Sequence, residues 1–266
     1  MLFRSGRVLQ AIVAGTLKST MLFNPTTNTY STGPTCVGIH NESVWLKLRD
    51  ESILMVDRGA TTSERYRPST GTWVADAVVP VSLYDPYGLE TGGAVLLPDG
   101  RGFFGGSLGA TGFYTPGVGG ANGTWAAGPS MPNSTGTPDA PMAPLTNGKI
   151  LLAVSPVPTS ANHFPTPTTF WEFDPTALTY TQVGAPGGGT SVNAAAYTFN
   201  FICLPDGTVL CSRQGSSSYW AYVPDGSPLA AAKPVVTLLQ RATTGVYTIT
   251  GLQLNGNNEG ASYGDD

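Results

Sequence analysis

Short apolar runs alternate with turn-forming residues along most of the chain, and two local signals recur in a fixed order. The first is a tight turn, usually Asp-Gly or a close variant, followed by a short apolar strand, which is typical of a β-hairpin. It occurs at residues 5–9, 50–54, 99–103, 147–151 and 206–210. Helical periodicity is absent, because no stretch combines a cap with apolar residues at i, i+3, i+4 and i+7.

The second signal is an aromatic residue two positions before a proline. The prolines are Pro25, Pro68, Pro116, Pro175 and Pro224, at intervals of 43 to 59 residues. Another aromatic follows at Tyr30, Trp73, Trp125 and Tyr180, whereas the fifth repeat has Leu229. One repeat therefore predicts four antiparallel strands, which form one blade of a β-propeller. We expect the recurring aromatics to pack between adjacent blades rather than to bind a ligand.

A β-sandwich also has short strands and frequent turns, but it has no reason to repeat the same two signals five times. The pattern therefore predicts an all-β propeller of about five four-stranded blades over residues 1–233. At the N-terminus, Arg4 and Arg7 near an apolar run are also typical of a signal peptide. Because residues 6–9 match the other turn-and-strand segments, we expect Val8–Ala14 to be a buried propeller strand.

Residues 234–266 break the repeat and predict two strands joined by a turn. Two strands alone cannot bury a core, so they must pack against the propeller, another copy of the chain or further sequence. A different interpretation is that Val246–Leu254 completes the first blade and closes the ring. The first repeat has only Met1–Phe3 in place of its innermost strand.

The order of apolar strand, Asp-Gly turn, strand ending in Gly-Gly, aromatic-x-Pro and tryptophan resembles the kelch repeat. The match is best in Gly92–Pro132, where Gly105 and Gly106 supply the double glycine. The resemblance covers roughly residues 1–233 and is to galactose-oxidase-like secreted kelch proteins. In that family an immunoglobulin-like domain follows the propeller. The resemblance therefore implies that residues 234–266 begin such a domain, incomplete in this sequence, and we favour this over ring closure.

Composition and charge limit the classes of partner that we expect for the chain. Charged residues make up 11% of the chain and the net charge is −4, so no basic stripe is available for a phosphate backbone, and we expect no nucleic acid. No apolar run reaches the roughly 18 residues that would span a bilayer, so we expect no membrane span. The three cysteines are not a disulfide framework, although Cys203 and Cys211 could face each other across a hairpin.

Strand parity places the long, variable loops on one face, which we call the long-loop face, and the short turns on the other. Binding residues concentrate on variable loops held by a rigid scaffold, so this face is the candidate site. Its aromatic and charged side chains could hold a sugar. The candidate ligand-binding residues are Asp57, Arg58, Tyr87, Glu90, His163, Phe164, Arg213, Tyr219 and Trp220.

The family resemblance implies a test for copper, which galactose oxidase binds through two histidines and two tyrosines. This chain has only His40 and His163, which lie in different repeats, and no cysteine matches the family's thioether site. We therefore assign no catalytic residue, no metal and no cofactor. A glycosidase needs two carboxylates about the scissile bond, and Asp57 with Glu90 could supply them.

The leading hypothesis is a non-catalytic propeller that acts as a binding or structural module outside a cell or on a particle surface. Its partner would be a protein or a glycan on the long-loop face, and a homo-oligomer or larger assembly is also considered. The alternative is a secreted carbohydrate-active enzyme, either a galactose-oxidase-like oxidase or a glycosidase.

Overall fold

The computed structural model is all-β, with small antiparallel sheets arranged as the five blades of a β-propeller, which confirms the predicted fold class. It describes residues 6–12 and 18–252 together with Phe3 and Leu254. Blade 1 contains β1 (Val8–Ala11), β2 (Thr20–Asn24) and β3 (Thr29–Thr32). Blade 2 contains β4 (Trp45–Lys47), β5 (Ile53–Val56), β6 (Ser63–Arg67) and β7 (Thr72–Ala75). Blade 3 contains β8 (Ala94–Leu96), β9 (Gly102–Gly105), β10 (Thr111–Thr115) and β11 (Thr124–Ala127).

Blade 4 is the largest sheet, because two short strands extend it at the long-loop face. It contains β12 (Thr135–Gly136), β13 (Met142–Pro144), β14 (Ile150–Pro156), β15 (Thr168–Asp174), β16 (Thr179–Val183) and β17 (Ser191–Val192). Blade 5 contains β18 (Phe199–Cys203), β19 (Val209–Arg213) and β20 (Trp220–Tyr222). A hairpin follows, with β21 (Val235–Thr243) and β22 (Val246–Leu252). Short 3₁₀ helices span Val118–Gly120, Pro132–Ser134, Ala196–Thr198 and Ala230–Ala232.

The tight turns on the face opposite the long loops follow one local rule. In the turns at Asp50, Asp99, Asn147 and Asp206, the Asp or Asn side chain accepts a hydrogen bond from the backbone amide two residues later, as Asp99 does from Arg101 at 3.0 Å. The residue between them has a positive φ, 88° at Gly100. The glycine-free variant keeps this geometry, because Glu51 has a φ of 67° and Asp50 accepts from Ser52 at 3.1 Å. Aspartate and glycine recur at these turns because they favour this conformation.

The hydrophobic core lies between successive blades, in separate clusters rather than one centre. Trp73 packs among side chains of blades 1 and 2, Trp125 among those of blades 2 and 3, and Tyr180 against residues of blades 3 and 4. These positions confirm the expected blade-to-blade role of the outer-strand aromatics. The same expectation is wrong for Tyr30, which is 54% exposed. No blade packs on that side of blade 1 in the described part of the chain, and the Tyr30 ring lies against its cross-strand neighbour Phe23, with ring centroids 4.9 Å apart.

The structure describes part of each end of the chain. Residues Val8–Ala11 form a strand with Leu9 fully buried, whereas Val13 and Ala14 lie outside the described residues. The hairpin strands β21 and β22 pair with each other, and within the described residues no backbone hydrogen bond joins β22 to β1. Whether residues 234–266 begin a further domain or close the ring therefore stays a prediction. The boundary near residue 233 stays a prediction.

The cysteines do not form disulfides. Cys203 pairs across the ladder with Val209, and Cys211 pairs with Phe201, so the two thiols are out of register with each other. Cys36 is buried and forms no disulfide either, and all three residues lie in the described part of the chain. No helix among the described residues is long and apolar enough to cross a membrane.

Candidate functional site

Three acidic residues enter the centre of the propeller from equivalent positions. The innermost strands β4, β8 and β13 are neighbours in that order. Glu42 lies just before β4, Glu90 just before β8 and Asp139 just before β13, all at the long-loop face. Because the innermost strands of a propeller line its central channel, these residues surround one end of it. We call this group, together with Asp85, the mouth carboxyls.

Hydrogen bonds tie the three segments to one another. The Thr91 hydroxyl donates to the backbone carbonyl of Glu42 at 3.0 Å, and the Asp139 amide donates to the carbonyl of Thr91 at 2.9 Å. The Ser107 hydroxyl donates to the Glu90 carbonyl at 2.6 Å. Loops from successive blades therefore form one connected layer, which holds the carboxyls in place.

The loop that carries Glu90 is organised by a buried aspartate. Asp85 is fully buried and accepts backbone N–H bonds from Tyr87 at 2.8 Å, Gly88 at 2.7 Å and Glu90 at 3.0 Å. An aspartate that accepts the amides of the next residues is a common way to close a tight loop, and Pro86 provides a fixed φ after it. This arrangement presents Tyr87 at the surface and turns Glu90 toward the channel mouth.

Burial and neighbouring carboxylates raise the pKa of two of the mouth carboxyls, Glu90 and Asp139. Burial raises the pKa of Glu90 to about 7, and the carboxylates of Asp139, Glu42 and Asp85 add to the rise, while the Arg58 guanidinium opposes it. Burial of the carboxyl and then the Glu42 carboxylate raise the pKa of Asp139 to about 6, although the residue as a whole is exposed. Carboxyls in such surroundings hold a proton near neutral pH.

A long loop from blade 4 reaches the same place. The ring of His163 stacks on Tyr87, with ring centroids 6.4 Å apart and planes 23° apart. A Cβ placed on Gly88 would lie 3.4 Å from Nδ1 of His163 and 3.3 Å from Cγ of Glu90. The two rings therefore form an aromatic wall beside the mouth carboxyls, and Tyr87 remains 46% exposed.

The structure brings together four of the candidate residues from the sequence, and the others lie elsewhere. Arg58, Tyr87, Glu90 and His163 meet at the mouth. Asp57 instead accepts the amides of Gly59 and Ile39, at 3.0 and 3.4 Å, and so fixes loop backbone.

The remaining candidates lie toward blade 5. Phe164 packs on Tyr197, with ring centroids 4.7 Å apart. Arg213 ends β19, and Tyr219 is 68% exposed just before β20. Trp220 packs into the apolar cluster between blades 4 and 5, because it lies opposite Cys211 on the strand face that points to blade 4.

Glu42, Asp85 and Asp139 were not among the residues expected from the sequence. A signal for Glu42 and Asp139 was present, because an acidic residue precedes the innermost strand by three or four positions in blades 2, 3 and 4. In blade 5 this position falls in an alanine run, Ala194–Ala196. Each acidic residue by itself resembles an ordinary loop residue. Only an alignment of the sequences of whole blades shows that the three occupy equivalent positions.

The residues do not fit the copper centre that the family resemblance implies. His40 is 1% exposed and packs on Trp45, with ring centroids 5.9 Å apart, whereas His163 is a surface residue on Tyr87. No group of three or more His, Cys, Asp or Glu side chains is arranged to hold a metal ion among the described residues. We therefore derive no chemical step through copper.

No family model matches the chain, and no curated protein matches it. Among solved structures, the fold is similar to one described as "Novel fungal alcohol oxidase with catalytic diversity among the AA5 family, in complex with copper". The TM-score is 0.57 at 15% identity, over 93% of this chain and 58% of the oxidase. The chain therefore spans less than two thirds of the length of that neighbour, and the likeness shows the fold alone. At that level, the protein is a β-propeller with a fold similar to that of this fungal oxidase.

Proposed function

We propose that the protein is a non-catalytic propeller module that binds a glycan at the channel mouth on its long-loop face. The observation that carries the proposal is the convergence of the Tyr87 and His163 rings with the mouth carboxyls and Arg58. Carboxylates accept hydrogen bonds from hydroxyl groups, and flat aromatic rings offer apolar contact area beside them. A neutral, hydroxyl-rich ligand suits this combination better than an anionic one, because the mouth carries an excess of carboxyls.

The few charged residues of the surface fit a module that works outside a cell or on a particle, and this location is part of the proposal. A protein partner on the same face is the competing ligand class. It would use the exposed Tyr87 ring as an anchor, since aromatic residues dominate protein interfaces.

A glycosidase remains the second candidate, because one observation favours it. The pKa of Glu90 is raised to about 7, next to the carboxyls of Glu42 and Asp139. Glycoside hydrolysis requires one carboxyl group with a raised pKa, which donates a proton, and a second carboxyl group that is ionised. Both candidates use the same residues, so binding and turnover must be measured on the same ligands.

The test is a glycan array probed with the full chain, followed by titration of each positive glycan against variants. We expect Tyr87→Ala and Glu90→Gln to abolish binding, while Tyr219→Ala, which truncates an exposed tyrosine away from the mouth, leaves it unchanged. Cleavage of a bound glycan that stops in Glu90→Gln would make the protein an enzyme instead. Binding that survives both mouth variants would place the site elsewhere.

A further inference from the structure

The outer edge of blade 5 is open. In the described part of the chain, blades 2, 3 and 4 each end in an outer strand, whereas blade 5 ends at β20. Pro228 lacks an amide hydrogen, and the next residue, Leu229, donates its N–H to the Thr146 carbonyl in the turn of blade 4 at 2.7 Å. The chain thus leaves blade 5 without pairing, and β20 keeps a free edge.

An apolar cavity of about 150 Å³ lies beside this edge. Apolar side chains and one loop supply most of its wall, notably Phe170, Pro186, Cys211, Trp220 and Tyr222. A dry apolar cavity of this volume can hold a benzene ring. The cavity is therefore large enough for one aromatic side chain.

The cavity occupies the place that an outer-strand aromatic takes in the other blades. Each aromatic-x-Pro residue pairs across the ladder with one such aromatic: Phe23 with Tyr30, Tyr66 with Trp73, Tyr114 with Trp125 and Phe173 with Tyr180. Tyr222 is the corresponding residue of blade 5, and it lines the cavity. The loop that follows the preceding blade lies in the same place in both cases. The Tyr180 hydroxyl donates to the carbonyl of Pro129 in the loop after β11, and Pro186, in the loop after β16, lines the cavity.

Strand β22 has the sequence of an outer strand. Residues 243–247 read Thr-Thr-Gly-Val-Tyr, and residues 69–73, which lead into β7, read Ser-Thr-Gly-Thr-Trp. The glycine has a positive φ in both, 82° at Gly245 and 66° at Gly71. Tyr247 therefore stands where Trp73 stands. It is 59% exposed, and β22 has no strand on its other side among the described residues.

We propose that β22 of a second copy of this chain adds to the free edge of β20 and places Tyr247 in the cavity. The pairing of the other blades sets the register: Tyr247 lies opposite Tyr222, and Ile249 lies opposite Trp220. Exposed strand edges recruit further strands, and two-stranded hairpins are marginal by themselves. Reciprocal exchange between two copies uses both hairpins and both cavities, and it gives a closed two-fold dimer.

The second copy is favoured over the chain's own hairpin. In the structure Tyr247 is exposed, and the segment that leads to the hairpin is hydrogen-bonded to the turn of blade 4 through Leu229 and through Asn147, which donates to the Asp225 carbonyl at 2.9 Å. Those bonds keep the start of the segment on the face opposite the long loops. A hairpin from another copy approaches the outer edge without breaking them.

The experiment measures molar mass by light scattering during size-exclusion chromatography of the full chain over a wide range of concentrations. We expect a concentration-dependent dimer. Tyr247→Ala should weaken association by at least about tenfold, because buried aromatic anchors dominate interface energetics. Tyr247→Phe should keep it, since the cavity is apolar. Tyr219→Ala is the matched control, because it removes an equally exposed tyrosine that does not line the cavity.

Acrylamide quenching of Trp220 fluorescence, isolated as the signal lost in Trp220→Phe, reports on the cavity directly. It should fall on dimerisation and stay high in Tyr247→Ala at every concentration. A monomer at all concentrations would overturn the proposal, as would a dimer that Tyr247→Ala leaves intact. A monomer in which Tyr247→Ala still raises the quenching of Trp220 would assign the cavity to the chain's own hairpin instead.

Discussion

Glu90 is the residue whose environment departs most clearly from that of an ordinary loop carboxyl. Burial and the adjacent carboxylates raise its pKa to about 7, and they raise the pKa of Asp139 to about 6. In the unfolded chain both groups titrate near pH 4, so between these values the folded state holds more protons than the unfolded one. Stability must therefore be greatest at low pH in this window and fall as the pH rises toward 7.

We predict that the urea midpoint of the wild-type protein decreases between about pH 5 and pH 8, and that Glu90→Gln flattens this dependence. The glutamine keeps the shape of the side chain but cannot ionise against its neighbours. Glu51→Gln is the control, because Glu51 pairs with Lys47 outside the mouth and should leave the slope unchanged. An unaltered slope in Glu90→Gln would mean that folding does not raise the pKa of Glu90.

At this scale the sequence named some of the residues that the structure brings together at the channel mouth. Tyr87, Glu90 and His163 were identifiable as aromatic and charged residues on long loops, whereas Trp220 packs between blades 4 and 5, because strand parity, not residue type, decides which way it points. Glu42 and Asp139 come together only because equivalent blade positions converge on one axis. That convergence depends on the number and tilt of the blades, which no local pattern encodes.

The outer strands allow a matched test of packing between blades. Trp73 is buried among Trp45, Tyr66 and Phe3, whereas Tyr30 holds the same position in blade 1 and faces solvent. We predict that Trp73→Ala lowers the free energy of unfolding by about 3–5 kcal/mol, as truncation of a buried aromatic does. Tyr30→Ala should cost less than about 1 kcal/mol, as surface substitutions usually do. Urea denaturation measures both, and equal losses would mean that blade 1 is covered in solution.

The positions of the strands were predicted better than any other feature of the structure, because the residues that form a turn are adjacent in sequence. The Asp-Gly turns fixed where hairpins form, and even the glycine-free turn at Asp50 adopted the expected geometry. The short strands β12 and β17 escaped prediction, since two residues carry no periodicity. The sequence also did not predict that blade 5 lacks an outer strand among the described residues, although Pro228, which cannot donate to a ladder, stands where that strand would begin.

For the whole molecule, the apolar clusters of the described residues lie between blades that are neighbours in sequence, so stability should vary along the chain as it does in other repeat proteins. Blades 2, 3 and 4 are covered on both sides, and β9 and most of β14 are buried. By contrast, β3 and β21 are exposed along their whole length.

Hydrogen exchange followed by mass spectrometry should therefore show the slowest amides in β9 and β14 and the fastest in β3 and the hairpin. The protection of the β20 amides shows whether this strand is a free edge or part of an interface between copies. Exchange within one chain does not depend on protein concentration, whereas strand addition by a second copy does. If β20 and β22 gain protection together as concentration rises while β3 does not, the open edge of blade 5 is the interface. Equal protection of all blades would contradict the prediction that stability varies along the chain, since it would require blades 1 and 5 to be covered as fully as the middle of the propeller.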